Sequence, residues 1–233
     1  MIKFINASLT YPNRVTSLRE VSLHIERQEF VFVVGPTGGG KSSLLKLIYR
    51  DAVPTSGKVF VFNKDVATMR IREIPFHRRR IGVIFQDFLL LRDKTAFDNV
   101  AYALQIRGSS GRQIATLVPE VLDLVGLSKR IRSYPAELSG GEQQRLCIAR
   151  ALVYKPDILI ADEPTGNLDP DTSIEIMELI TRVNLRGTTV IVATHDANIV
   201  NDFPRRTVVV SQGRIVADRL EGGYLETAGG MVA

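Results

Sequence analysis

An apolar run, "FVFVV" at 30–34, leads directly into "GPTGGGKSS" at 35–43. Glycine packs nothing and loses the most conformational freedom on folding, so four glycines around one lysine imply a need for bare backbone. Gly35 to Ser42 fits G-x-x-x-x-G-K-S, and "SLLKLIYR" (43–50), with Leu44, Leu47 and Ile48 at helical spacing, follows it. A strand, a glycine loop and a helix in that order make a phosphate cradle. The backbone N–H groups wrap the anion, and the helix N-terminus adds the positive end of its dipole. Lys41 supplies a charge for the outer phosphates, and the Ser42 hydroxyl is placed to ligate Mg²⁺.

The rest of the chain repeats strand and helix patterns. "VFVFN" (59–63) and "IGVIF" (81–85) read as strands, and "DILIA" (157–161) and "TTVIVAT" (188–194) as continuous apolar strands suited to a parallel sheet covered on both faces. Helical patterns cover 113–126, interrupted or started by Pro119 and closed by Gly126, and also 142–153 and 171–187. A hairpin is expected over 207–218, turning at "QG". The predicted class is α/β, with an antiparallel β edge layer from the first thirty or so residues and the stretch after 57. A helical lobe over about 88–150 is inserted in the core. One domain is expected over 1–220, with a loosely ordered Gly-rich tail at 221–233.

A phosphate loop needs a metal partner and a water activator. In "DILIADEP", Asp162 ends a strand at the edge where α/β ligands bind, poised to hold Mg²⁺ through water. The adjacent Glu163 points elsewhere, where it can polarise an attacking water. "LSGGEQQRL" (138–146) is a second glycine site. Ser139 and Glu142 alone make a capping box that needs no ligand, but Gly140 and Gly141 weaken a first helical turn and expose N–H groups to an anion.

Composition narrows the class. Apolar content of 45% and charged content of 24% suit a globular chain, and no apolar run approaches the ~20 residues that span a bilayer. Met1 leads straight into a strand pattern, so no signal peptide is expected. The lone cysteine, Cys147, forms no intrachain disulfide and fits a reducing compartment. The net charge of +5 and the stretch "FHRRR" (76–80) permit an anionic partner. Without zinc-finger spacing or an aromatic RNA-binding pattern, no nucleic acid is expected. The run Phe88 to Leu91 is too apolar to be free surface throughout, which leaves core packing or a groove for a partner helix open.

These motifs resemble the ATP-binding cassette (ABC) ATPases over nearly the whole chain. "GPTGGGKS" is similar to Walker A, "ILIADE" to Walker B, "LSGGEQQR" to the family signature and "NLD" (167–169) to the D-loop. Gln86 in "VIFQDF" falls at the Q-loop and His195 in "ATHD" at the H-loop. The resemblance implies a RecA-like P-loop core and ATP with Mg²⁺ as ligands. It implies nucleotide contacts from Tyr11, which would stack on adenine, from Gly35, Pro36, Thr37, Gly38, Gly39, Gly40, Lys41, Ser42 and Ser43, and from Gln86, Ser139, Gly140, Gly141 and Asp169. Metal contacts would come from Ser42, Gln86 and Asp162, and catalytic roles would fall to Glu163, His195, Lys41 and Gln86. Gly39 and Ser43 depart from the commoner family residues without removing a phosphate or metal ligand. Two copies would pack head to tail, with Ser139 and Gly141 of one completing the other's site.

"ADEPTGNLDP" looks like the mechanotransmitting subgroup, and "IPFHRRRIGVIFQDFLLL" and "GRIVADRLEGGY" look like its cell-division branch. That likeness implies a peripheral protein on the cytoplasmic face, beneath a four-helix membrane subunit of FtsX type. Through it, ATP-driven closure would regulate an extracytoplasmic cell-wall hydrolase or its activator. The alternative is a lipoprotein-release or macrolide-type export complex.

Overall fold

The computed structural model describes residues 1–222; the tail expected at 221–233 lies, from residue 223 on, outside the described residues. Among the described residues there are ten strands: β1 (Ile2–Thr10), β2 (Thr16–Ile25), β3 (Phe30–Val34), β4 (Ser56–Val61), β5 (Lys64–Asp65), β6 (Ile81–Ile84), β7 (Ile158–Asp162), β8 (Thr189–Thr194), β9 (Arg205–Ser211) and β10 (Arg214–Gly222). The α-helices are α1 (Lys41–Ile48), α2 (Ile74–Arg78), α3 (Ala96–Ile106), α4 (Gly111–Leu124), α5 (Gly140–Leu152), α6 (Pro170–Leu185) and α7 (Ala197–Asp202).

The expected parallel sheet forms in the order β10-β9-β3-β8-β7-β6, with only β10 antiparallel to its neighbour. The expected antiparallel layer is a separate sheet, β2-β1-β4-β5. Successive side chains of a strand point to opposite faces, which explains the unbroken apolar runs. Phe30, Phe32 and Val34 enter one core with α3 to α6. Val31 and Val33 enter the other, beneath α1 and the antiparallel layer. Burial on both faces leaves no position in β3 for a polar residue.

Register places the functional loops. Val34 pairs with Thr194, Asp162 with Ala193, and Ile84 with Ala161. The chain therefore leaves β3, β7, β8 and β6 at one edge of the sheet, carrying Gly35, Glu163, His195 and Gln86 to the same end.

Between β6 and β7 lie α3, α4 and α5, packed on one another over Val100, Leu104, Val118, Leu122, Leu146 and Ala149. Pro119 neither starts nor breaks α4, which runs unbroken through it. A capping box between Ser110 and Gln113 starts that helix, and the carbonyl that Pro119 cannot satisfy belongs to exposed Ala115, within reach of water. In 88–91, Leu89 is 59% exposed and its three neighbours are half-buried, so the run is neither all core nor all surface.

Candidate active site

The loop after β3 is shaped by close backbone approach. Gly35 has φ +143°, and a Cβ there would lie 2.0 Å from the carbonyl oxygen of Val210 on β9. Gly40 ends the loop at φ +114° as the N-cap of α1, with no side-chain cap. By contrast α3, α4, α5 and α6 are capped by Thr95, Ser110, Ser139 and Asp169. The first N–H groups of α1 are thus left for an external acceptor, and an anion is the acceptor a helix N-terminus favours.

Lys41 is nearly buried. Its Nζ donates to the carbonyls of Gly35 (2.8 Å) and Pro36 (3.3 Å) and lies 3.8 Å from Oε1 of Glu163. Glu163 adopts a left-handed φ of +51°, fixed by its N–H donating to Ala193 on β8 at 2.8 Å. That turn sends Asp162 and Glu163 in different directions. Glu163 Oε1 accepts from Nδ1–H of His195 at 2.8 Å, so the carboxylate sits between the lysine and the imidazole. Asp162 accepts a hydrogen bond from Ser42, and its buried Oδ1 has no partner. Burial, reinforced by the neighbouring Glu163 charge, raises its pKa above the usual carboxylate value despite Ser42 and Lys41.

Thr37, Gly38, Gly40, Lys41, Ser42, Ser43, Gln86, Glu163 and His195 line one cavity of about 230 Å³. Tyr11 stands beside it, with its hydroxyl 3.1 Å from Ser43 Oγ, and Asp162 joins through Ser42. Gly35, Pro36 and Gly39 form the loop behind. Gln86 also lines a second cavity of about 710 Å³ with Asp87, Phe88, Leu89, Leu90 and Gln143, and so stands between the phosphate cradle and a groove at the lobe.

Ser139, Gly140 and Gly141 do not line that cavity. Ser139 Oγ accepts from the Glu142 N–H (3.2 Å) and Glu142 Oε2 from the Ser139 N–H (2.9 Å), so the capping box is formed. Gly141 also has a packing reason that its motif did not reveal: a Cβ there would lie 2.5 Å from the Thr172 methyl of α6. Asp169 likewise caps α6, accepting from the Thr172 N–H at 2.9 Å, and stands apart from the cavity.

Sequence reasoning missed Ser17, which lines the cavity and donates to Ser43 Oγ at 2.5 Å. It also missed Gln144, whose buried amide donates to the Pro164 carbonyl at 2.7 Å and ties α5 to the Asp162–Glu163 turn. The only signal for Gln144 is a polar residue amid an otherwise apolar helix face.

The ABC transporter family model matches residues 18–166. The chain belongs to the ABC transporter family. This ABC cassette is 51% identical over 224 residues to the cell division ATP-binding protein FtsE of Bacillus subtilis, covering 96% of this chain and 98% of the relative. It is 45% identical to FtsE of Escherichia coli K12, over 92% of this chain and 97% of that one. Among solved structures, a dimeric post-hydrolysis ATP-binding cassette bound to ADP and Pi superposes with a TM-score of 0.86. The two are 36% identical, with 96% of this chain and 100% of that one covered. The fold is therefore that of an ABC nucleotide-binding cassette, and the chain is an ATP hydrolase of the ABC type.

Proposed function

We propose that this ABC ATPase is the engine of a bacterial cell-division complex. Two copies close head to tail on ATP and drive a membrane subunit of FtsX type, which regulates a cell-wall hydrolase or its activator outside. The relatives' names support the cell-division role, and the absence of a helix long and apolar enough to cross a membrane, among the described residues, fits a peripheral subunit on the cytoplasmic face.

In this reading the uncapped start of α1 and the loop 35–40 bind the phosphates, and Lys41 neutralises the outermost one. Mg²⁺, when bound, supplies Lewis-acid stabilisation of charge on the phosphates. Its place is beside the Ser42 hydroxyl and the unpartnered Asp162 oxygen. Gln86 lines the same cavity as a third contact, and the remaining ligands would be phosphate and water, as Mg²⁺ prefers. Glu163 orients and polarises the attacking water, and His195 holds that carboxylate in place and contacts the outer phosphate. Gln86 senses the cavity and passes its state to the groove, where Phe88 and Leu89 receive a short helix of the membrane subunit. Ser139 and Gly141 act on the partner copy's nucleotide.

The observation that carries this reading is the single carboxylate of Glu163 set between Lys41 and His195 at the cavity wall. The test is Glu163→Gln. It should bind ATP normally, accumulate as the closed dimer and lose about 10²–10⁴-fold in turnover. Near-normal turnover would falsify the role of Glu163.

A further inference from the structure

The basic stretch around α2 divides into an inner and an outer face. A 3₁₀ turn (Ile71–Glu73) runs directly into α2, giving one short helical segment. At 100° per residue, Ile71, Arg72, Pro75, Phe76 and Arg79 fall within an arc of about 140°, and Glu73, Ile74 and His77 lie opposite. The apolar residues and the histidine follow that division: Ile71 is 87% and Phe76 65% exposed, whereas His77 is buried; Arg78 and Arg80 are exposed and Arg79 is half-buried.

The inner cations are engaged. His77 Nε2–H donates to the Ile48 carbonyl at 2.8 Å, and Arg78 to the carbonyls of Tyr49 and Arg50, closing the C-terminus of α1. Arg80 pairs with Asp157 at 2.7 Å and lies over the Phe62 ring. The nearby carboxylates are likewise taken: Asp51 by Arg78, Asp157 by Arg80 and Glu73 by Lys64. Arg72 and Arg79 form no ion pair among the described residues. Arg79 instead lies 5.1 Å from the centroid of exposed Phe76.

The cationic strip continues toward the end of α3. Arg107 stands 5.3 Å from the Tyr154 ring, and the charges of Arg107 and Arg79 both act on that phenol. Ile106 beside it is 64% exposed. The strip also adjoins the groove. Tyr49, whose carbonyl Arg78 holds, meets Phe85 edge-on at 6.5 Å, immediately before Gln86.

We propose that the outer face of this segment is a direct lipid-contact surface. Ile71 and Phe76 enter the headgroup region of an anionic phospholipid layer, and Arg72 and Arg79 bind its phosphates. Both apolar side chains project outward, Ile71 from the 3₁₀ turn and Phe76 from α2. A folded partner would need a matching pocket for each, whereas a lipid interface takes protruding apolar groups flanked by cations as they come. The charge complement is one-sided, since Asp51, Asp157 and Glu73 already have cations and the Asp65 carboxylate caps the turn at Ala67. Two apolar anchors and a few arginines give weak, reversible attachment. That suits a surface that orients the cassette while a protein subunit recruits it. The inference adds to the proposed membrane role and is separable from it, because vesicles contain no subunit.

The test is flotation of the full chain with vesicles of phosphatidylethanolamine and phosphatidylglycerol at 3:1, against pure phosphatidylcholine. The protein should float with the anionic vesicles and not with the neutral ones. Each cation near such a surface contributes about fivefold, so Arg72→Glu with Arg79→Glu should lower the bound fraction at least tenfold. Ile71→Ser with Phe76→Ser should lower it at least fivefold. Both double variants should keep wild-type ATP turnover in solution, which also shows that they fold. No flotation, equal flotation with both lipids, or variants that float like wild type would overturn the proposal. So would variants that keep vesicle binding but lose capture of the membrane subunit, since the face would then dock protein. Failure of the ATPase reading would appear separately, as turnover insensitive to Glu163→Gln.

Discussion

The guanidinium of Arg150 on α5 donates to the carbonyl of Leu89 at 2.6 Å, and its other terminal nitrogen donates to Phe88 at 2.9 Å. Two successive carbonyls face one fork because Leu89 adopts a left-handed φ of +47°, which an unsupported leucine avoids. The Cys147 thiol, one turn earlier, also donates to the Phe88 carbonyl at 3.0 Å. The helix that begins at Ser139 therefore holds the segment immediately beyond Gln86. Burial pushes the Cys147 thiol up to about 12, so it is inert while this clamp is closed. Arg150→Met should release Leu89 from its strained conformation and raise maleimide labelling of Cys147 at least tenfold, with Arg150→Lys, which holds one carbonyl, in between. Equal labelling of all three proteins would show that the segment stays in place without the guanidinium.

The separation of Ser139 and Gly141 from the cavity that holds Lys41 makes a mixing experiment decisive. Lys41→Ala removes the cation from the phosphate cradle, and Ser139→Arg blocks the site contributed to the partner copy. Each variant alone should have less than about 1% of wild-type turnover, consistent with a loss of roughly 3 kcal/mol or more of barrier lowering. Co-purified heterodimers carry one intact composite site and should regain measurable activity. If heterodimers form and remain inactive, Ser139 does not act across the dimer on an independently competent site.

What the sequence discloses is what short-range chemistry dictates. The strands β3, β7 and β8 are plain because burial on both faces demands continuous apolar residues, and Gly35 to Ser42 are plain because only a backbone cradle needs that spacing. The order β9-β3-β8-β7-β6 is not readable locally, although that order brings Glu163, His195 and Gln86 to one edge. "FHRRR" reads as one basic surface, yet His77 is buried, and Arg78 and Arg80, though exposed, are held by carbonyls and an Asp157 that are distant in sequence. Arg150 resembles any surface arginine of a helix until the fold lays Phe88 and Leu89 against it. Asp169 reads as a site residue and is placed as a helix cap. Gly141 reads as an anion site, and only the fold discloses its packing reason, the Thr172 methyl of α6.

Acid should unfold this protein partly through His77. Burial, with the nearby charges of Arg80, Arg78 and Arg50, lowers its pKa below the usual imidazole value, and its hydrogen bond to Ile48 only partly offsets this. A base with a depressed folded pKa contributes stability that is complete above its unfolded value, about 6.5, and is lost as pH falls toward the folded one. His77→Gln keeps a donor for the Ile48 carbonyl and does not titrate. Its denaturant midpoint should therefore decline less than that of wild type between about pH 6.5 and 5. Parallel declines would exclude His77 as the source.

Asp162 presents the opposite case. Its raised pKa means that the fold prefers the protonated acid, so its contribution to stability is greatest at low pH and is lost as pH rises through the folded value. Ionising the acid leaves a largely buried carboxylate with one oxygen unpartnered. Asp162→Asn removes that charge and can keep the hydrogen bond to Ser42. A buried charge costs more than a buried neutral amide, by about 1 kcal/mol for a partly exposed group, although one polar atom stays unpartnered in the variant. Without ligand the variant should melt about 2–4 °C above wild type at pH 7, and the difference should shrink as pH falls and the wild-type acid takes up its proton. With Mg²⁺ and ATP the order should reverse, because wild type gains a metal ligand that the amide replaces poorly. Adding a chelator with ATP should restore the first order. Melting of the ligand-free variant at or below the wild-type temperature at neutral pH would mean that the buried charge carries no cost, and would remove the structural argument for a cation beside it.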